Sequence, residues 1–258
     1  MQERKLLDLC VLLLSVATAA GAQVSDSSAT LRPFGGGERL TYRIRSAKFG
    51  NVGNATMKLG GPVFIRGVEV VLAEFDASAG IAFLKGSDAT RSWFDPGLMT
   101  SMRYQKRERR PFSTNDDSVE IYADRHHWDA RGGESGYTEC DHPLDELAFI
   151  YFLRTVTLLP DSLYSFDRHY DKRRAPITVR VVKHEAVVTP AGTFDAMQYE
   201  VTMSDARDPK ARDVLNFWIS EDARRLPVRI ESTMPVLGKS VMTLQTVSAP
   251  GTRYAVSK

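Results

Sequence analysis

Asp145-Glu146-Leu147-Ala148-Phe149-Ile150-Tyr151-Phe152-Leu153-Arg154-Thr155 is the stretch on which the fold turns. Its apolar run, Leu147 to Leu153, covers every face of about two helical turns, so a helix here is buried all round. Pro143 opens that helix, Asp145 and Glu146 sit in its first turn where the N-terminal dipole favours negative charge, and Leu159-Pro160 stops it, which predicts about three turns. Something has to wrap around it. The chain on both sides alternates apolar and polar residues with period two, so the wrapping material is antiparallel sheet.

Working outward towards the N-terminus, Leu40, Tyr42 and Ile44 alternate with Thr41, Arg43 and Arg45 and predict a half-buried strand from Glu38 to Arg45. Gly50-Asn51 turns the chain into a partner strand with Ala55, Met57 and Leu59 inward, and Gly60-Gly61-Pro62 closes that partner. Val63 to Ala77 predicts a long strand, apolar on both sides. Further strands fall near 89–94, 98–108 and 118–123, with Asp95-Pro96-Gly97 as a turn. From Asp124 to Pro143 the periodicity fades, and Arg131 to Gly136 reads as an exposed loop.

On the C-terminal side the inward rows are Ile177, Val179 and Val181, then Met197, Tyr199, Val201 and Met203, separated by the type I turn Thr189-Pro190-Ala191-Gly192. Val214 to Ile219 is apolar on both faces and is placed under the helix in mid-sheet. Leu226, Val228 and Ile230, and then Val241 to Val247, complete the meander. Roughly a dozen strands is generous for one sheet and demands strong curvature.

A chain of 258 residues, 43% hydrophobic and 26% charged, can bury a substantial core, and one all-β domain fits the length as well as two smaller ones. With 34 basic against 32 acidic residues, no whole-molecule field draws it to nucleic acid. Arg4 and Lys5, the apolar run Leu9 to Ala20 and the small-x-small site Ala20-Gly21-Ala22 read as a cleaved export signal over 1–22, with a retained signal anchor as the alternative. Residues 23–36, rich in Ser and Gly, read as a flexible linker; the domain runs over 37–248 and 249–258 is a tail. After cleavage Cys140 is the remaining cysteine, so no internal disulfide forms and core burial alone holds the fold. The expectation is an exported monomer of the periplasm or cell envelope, without a transmembrane span once the signal is gone.

Several of these pieces match a known family in the same order. Gly37-Glu38-Arg39-Leu40-Thr41-Tyr42, Phe94-Asp95-Pro96, Tyr151 to Thr155, Thr189 to Phe194, and above all Trp218-Ile219-Ser220-Glu221-Asp222-Ala223-Arg224-Arg225-Leu226-Pro227-Val228-Arg229 resemble the bacterial domain of unknown function 3108 family. The resemblance runs from about Gly37 to Val247, and the stretch from Asp124 to His142 departs from it. It implies an exported envelope protein with a curved, incompletely closed antiparallel barrel of the YmcC-like kind, similar to lipoprotein carriers. The family brings no agreed activity and therefore no catalytic residues.

Arg154, at the end of the most apolar stretch, has two readings. It either caps the last helical carbonyls and pairs with one carboxylate, such as Asp222, or faces the barrel cavity and holds an anionic group. Tyr151, Trp218 and Arg225 join it as candidate ligand-binding residues. His126-His127 and Cys140-Asp141-His142 lack recognisable metal-ligand spacing, and adjacent histidines of an extended chain point to opposite sides, so no metal site is expected. No nucleophile elbow or phosphate-cradling glycine loop is present, so neither catalysis nor a cofactor is expected. Ser220-Glu221-Asp222 reads as a hairpin tip, and Cys140 between two acids is no activated thiol. The basic runs 106–110, 172–174 and 224–225 read as solvated tips, or as contacts to an anionic envelope surface.

The fold class is therefore all-β: a large curved antiparallel sheet, or incompletely closed barrel, over one central helix. The expected function is non-catalytic binding or carriage of an apolar or amphiphilic ligand such as a lipid, or support of envelope assembly. An enzyme acting on envelope lipid or glycan, with residues gathered from distant positions, and a protein-interaction module with a filled interior are the alternatives.

Overall fold

The computed structural model describes residues 31–82, 84–206, 208–234, 237–248, 251 and 253–255. The expected export signal and the first part of the linker lie outside the described residues. In chain order the elements are β1 (Leu31–Gly35), β2 (Arg39–Ser46), β3 (Gly50–Ile65), β4 (Val68–Ile81), β5 (Leu84–Asp95), β6 (Thr100–Arg110), β7 (Ser113–Tyr122), β8 (His127–Ala130) and β9 (Ser135–Tyr137). The helix α1 (Glu146–Leu153) comes next, then β10 (Leu163–Phe166), β11 (Ile177–Thr189), β12 (Gly192–Asp205), β13 (Asp208–Ser220), β14 (Pro227–Met234), β15 (Gly238–Ser248) and β16 (Arg253–Ala255).

Fourteen strands form one antiparallel sheet in the order β10-β11-β12-β13-β14-β15-β2-β3-β4-β5-β6-β7-β8-β9, and β1 pairs with β16. Every neighbour but one follows its partner in sequence; β15 against β2 is the exception. The two margins of the sheet, β9 and β10, do not pair with each other, so the barrel stays unclosed. The segment between them carries α1. Inward residues from both halves, including Tyr42, Met57, Phe94, Tyr199, Ile230 and Leu244, share one core with Leu147, Phe149, Tyr151 and Leu153 of the helix. A sheet so curled around an all-apolar helix is what the period-two flanks require.

The differences from the sequence reading have local causes. The helix spans eight residues because the chain tightens at Arg154 and Thr155, whose N–H groups reach back to Tyr151 and Phe152. Gly60-Gly61-Pro62 does not end its strand but makes a bulge, so Val63 to Ile65 continue β3 and the turn falls at Arg66-Gly67, both at positive φ. The last part of the expected linker and part of the expected tail are paired strands, β1 and β16. Phe34 supplies the burial that composition hid, packing edge-on against Tyr151 at 5.1 Å and against Phe94 at 6.4 Å.

The faded stretch holds β8 and β9, and Gly136 lies so close over the buried Trp128 that a Cβ there would come within 2.8 Å of the indole. Val214 to Ile219 does not pack directly on the backbone of the helix, whose main neighbours are β5 and β4. Instead Phe217 faces the core, while Trp218 is shielded by Arg229, 4.7 Å from its ring, and by Glu185, which accepts its indole N–H at 2.5 Å.

Candidate functional site

Both ends of α1 are fixed to the sheet by buried polar groups. At its start, Asp145 Oδ1 accepts from Leu147 N at 3.0 Å and Ala148 N at 2.9 Å, which satisfies two of the helix's unpaired donors. Asp145 Oδ2 accepts from Ser92 Oγ at 2.6 Å and Ser101 Oγ at 2.7 Å, on β5 and β6. Burial pushes the Asp145 carboxyl up to about 6, against the pull of those hydrogen bonds.

At the other end Arg154 is buried and forks onto Glu38, with Nη1 to Oε1 at 2.6 Å and Nη2 to Oε2 at 2.8 Å. Its Nε donates to Arg225 O at 2.9 Å and Nη2 to Arg224 O at 3.0 Å, and its Cζ lies 5.2 Å from the ring centre of Phe34 and 5.3 Å from that of Tyr151. Arg225 returns the contact by donating to Val156 O at 2.8 Å and Arg154 O at 3.4 Å.

Three of the four predicted ligand-binding residues, Arg154, Tyr151 and Arg225, therefore do come together. They form a knot at the C-terminal end of α1 whose donors go to Glu38, to backbone carbonyls and, from Arg225 at 3.3 Å, to the Tyr199 hydroxyl. The partner of Arg154 is Glu38, not Asp222, which is held by Arg224 at 2.5 Å. Trp218 stands apart on the outer face.

Other candidates are dispersed as well. Among the described residues no three His, Cys, Asp or Glu side chains gather as a metal site. His126 faces Asp141, His127 faces Asp129, and His142 bonds Thr100. Burial pushes the Cys140 thiol up, more than its acidic neighbours do.

The open interior lies elsewhere, between α1 and the far end of the sheet. A cleft of about 580 Å³ runs beneath Leu147 and Ile150, floored by Met57, Phe75, Phe217, Ile230 and Met242. Its opposite wall carries Asp88, Thr90, Tyr104, Lys106, Arg110, Glu146 and Arg174. A second space of about 320 Å³ shares Ala77, Asp88 and Arg110 with it and is bounded by Ala79, Leu84, Phe112 and Leu237. Arg212 and Asp213 of β13 and Ser232 and Thr233 of β14 also line it, so apolar and polar groups share the space.

Alternation produces the charged wall. Thr90 pairs with Lys106 and Asp88 with Glu108 across β5 and β6, so these residues share the inward face. The run 106–110 is thus divided: Lys106 and Arg110 line the cleft, while Arg107 and Arg109 sit at the alternate positions. Arg110 pairs with Asp88 at 2.5 Å, and Lys106 with Glu108 at 3.1 Å. Deeper in, Arg174 bonds Glu146 at 2.7 Å and Asp213 at 3.2 Å, and His169 Nε2 stands 3.5 Å from Glu146. Glu146 Oε2 and Arg174 Nε are buried without a hydrogen-bond partner among the described residues, an acceptor and a donor at the same wall.

Burial alone would raise the Glu146 carboxyl, but His169 and Arg174 hold it well below the usual carboxylate range. A carboxyl that releases its proton more readily in the folded state contributes stability above its unfolded pKa and loses it as pH falls through the carboxylate range. Urea unfolding of Glu146→Gln should therefore give a shallower loss of stability on acidification than the parent chain. An equally steep profile would remove the assignment.

Comparison with solved structures places the fold among barrel-like proteins. A beta-barrel-like protein of domain of unknown function DUF1849 from Brucella abortus superposes with a TM-score of 0.55 at 10% identity, covering 86% of this chain and 100% of that one. A protein described as a lipoprotein from Parabacteroides distasonis gives a TM-score of 0.35 at 13% identity, over 84% of this chain and 99% of that one. A protein described as exported and as having a YmcC-like fold, from Bacteroides fragilis, gives 0.34 at 14% identity, over 85% of this chain and 99% of that one. No curated protein matches the chain. The family model for proteins of unknown function DUF3108 matches residues 41–245, nearly the whole sheet and the helix, and the chain belongs to that family.

Proposed function

We propose that this protein binds or carries amphiphilic molecules without chemically changing them, acting after export in the cell envelope. The observation that carries this reading is the cleft lined by both apolar and charged groups: its volume, about 580 Å³, falls within the range of roughly 300–1,000 Å³ common to small-molecule pockets. An acyl chain or other apolar body fits against Met57, Phe75, Phe217, Ile230 and Met242. A polar head fits against the opposite wall, where Arg174 Nε can donate and Glu146 Oε2 can accept. A filled interior, as an interaction module would have, leaves no such space.

The enzyme alternative is weaker on chemical grounds. Glu146, held ionised beside Arg174 and His169, makes a poor proton donor or acceptor at neutral pH. Tyr104 beside it is pushed well above its ordinary pKa by burial and by Glu146 itself.

The experiment is native purification followed by organic extraction and mass spectrometry. The parent chain is expected to release a stoichiometric amphiphile, and Ala77→Phe, which places a ring where the two spaces meet, should release at least about tenfold less while keeping its thermal midpoint. An empty parent chain that also fails to retain added lysophospholipid would sink the carrier reading.

A further inference from the structure

The cleft opens at one end of the sheet, where several hairpin tips meet. Strand pairing places the turns β14–β15, β2–β3, β4–β5 and β6–β7 side by side along this end. Ala47 N donates to Lys239 O at 3.0 Å, and Arg110 Nη1 reaches Ser87 O at 3.4 Å, so adjacent tips touch. The second of the two spaces, bounded by Ile44, Leu237, Leu84 and Phe112, spans them.

Among the described residues two aromatic side chains project from these tips into solvent, Phe112 with 90% of its surface exposed and Phe49 with 45%. Interleaved with them are the exposed cations Lys48, Lys85 and Arg109, none of which makes a salt bridge among the described residues. The nearby carboxylates Asp88 and Glu108 are paired, with Arg110 and with Lys106 and Arg110. Asp205 and Asp208 lie at the β12–β13 tip of the same end, and both have partners. β1 lies at the opposite end, where Arg32 bonds Pro96 O at 2.7 Å.

We infer that this rim docks the protein, mouth first, on an anionic lipid bilayer, with Phe112 and Phe49 entering the interface and Lys48, Lys85 and Arg109 meeting lipid phosphates. An aromatic ring flanked by unpaired cations is matched by a surface that is apolar below a negatively charged headgroup layer, and by neither half of that surface alone. A hairpin tip with a nearly fully exposed Phe is otherwise an aggregation liability. The geometry adds a direction: a docked rim would hold the cleft mouth against the bilayer.

The inference goes beyond occupancy of the cleft, because the rim docks whether or not a ligand is carried. The test is cosedimentation of the purified chain with phosphatidylcholine vesicles containing either no anionic lipid or about one-third phosphatidylglycerol. Binding is expected to the anionic vesicles and to be released by high salt. Phe112→Ser should weaken it about tenfold, and Lys85→Glu and Arg109→Glu about fivefold each or more. Arg39→Glu, an exposed cation at the far end of β2, should leave it unchanged.

Equal binding to neutral and anionic vesicles, or rim variants that bind like the parent, would overturn the inference. So would a dimer in sedimentation velocity without lipid that Phe112→Ser dissolves, since a second copy would then be the occupant. Vesicle binding by a chain that releases no amphiphile supports docking and counts against carriage alone.

Discussion

Glu38→Ala is expected to destabilise the fold by about 3–5 kcal/mol, because it leaves the Arg154 guanidinium buried and uncompensated. Both side chains are almost wholly removed from water and meet through two parallel bonds of 2.6 Å and 2.8 Å. For a domain of this size the thermal midpoint should fall by roughly 10 °C or more. Arg154→Met should cost a comparable amount, since it strands the Glu38 carboxylate and leaves the carbonyls of Arg224 and Arg225 without a donor.

The double variant Glu38→Leu with Arg154→Met separates pairing from packing. Replacing both charges by apolar groups removes the stranded ion, so the double variant should be more stable than either single one, with those two carbonyls accounting for what is not recovered. A Glu38→Ala cost below about 1 kcal/mol, the level of an exposed pair, would show that the knot is solvated and does not lock the helix.

Asp145→Ala should come next in size. It removes a helix N-cap, worth about 1 kcal/mol, and leaves the hydroxyls of Ser92 and Ser101, both fully buried, without their acceptor, at about 1–3 kcal/mol for each unsatisfied group. Asp145→Asn keeps an acceptor oxygen and should cost less.

The pH dependence distinguishes Asp145 from its neighbour Glu146. A carboxyl raised to about 6 in the folded state holds a proton that the unfolded chain has already released, so its contribution falls as pH rises from the ordinary carboxylate range to about 6. Glu146 changes in the opposite sense over the carboxylate range. Removing Asp145 by the Asn substitution should therefore flatten the decline towards pH 6, measured as urea unfolding free energy against pH. A decline unchanged in Asp145→Asn would assign that titration elsewhere.

The sheet and its buried helix were legible because their signals are local. Seven apolar residues in a row and the period-two rows around Tyr42, Met57 and Tyr199 need no distant information. Arg154 was legible as a helix-terminating cation, but its partner lies 116 positions away, and no spacing connects Glu38 to it. The cleft wall was hidden for a different reason. Lys106, Glu108 and Arg110 occupy inward positions, yet a strand polar on both faces gives no sign of which face is concave. The β1–β16 pair was missed because a five-residue strand meeting a three-residue one carries almost no periodicity, and only Phe34 marks it as core.

The placement of β15 beside β2 has a kinetic consequence. Both margins of the sheet are joined through one segment, whereas its middle is a covalent break bridged by hydrogen bonds between residues such as Thr41 and Thr246, 205 positions apart. Each half can zip up from its own hairpins, but registering them against one another incurs nearly the full loop-closure entropy of the domain. That seam, between the sixth and seventh of the fourteen strands, is therefore expected to be the last join to form, after two fans hinged at α1 have assembled.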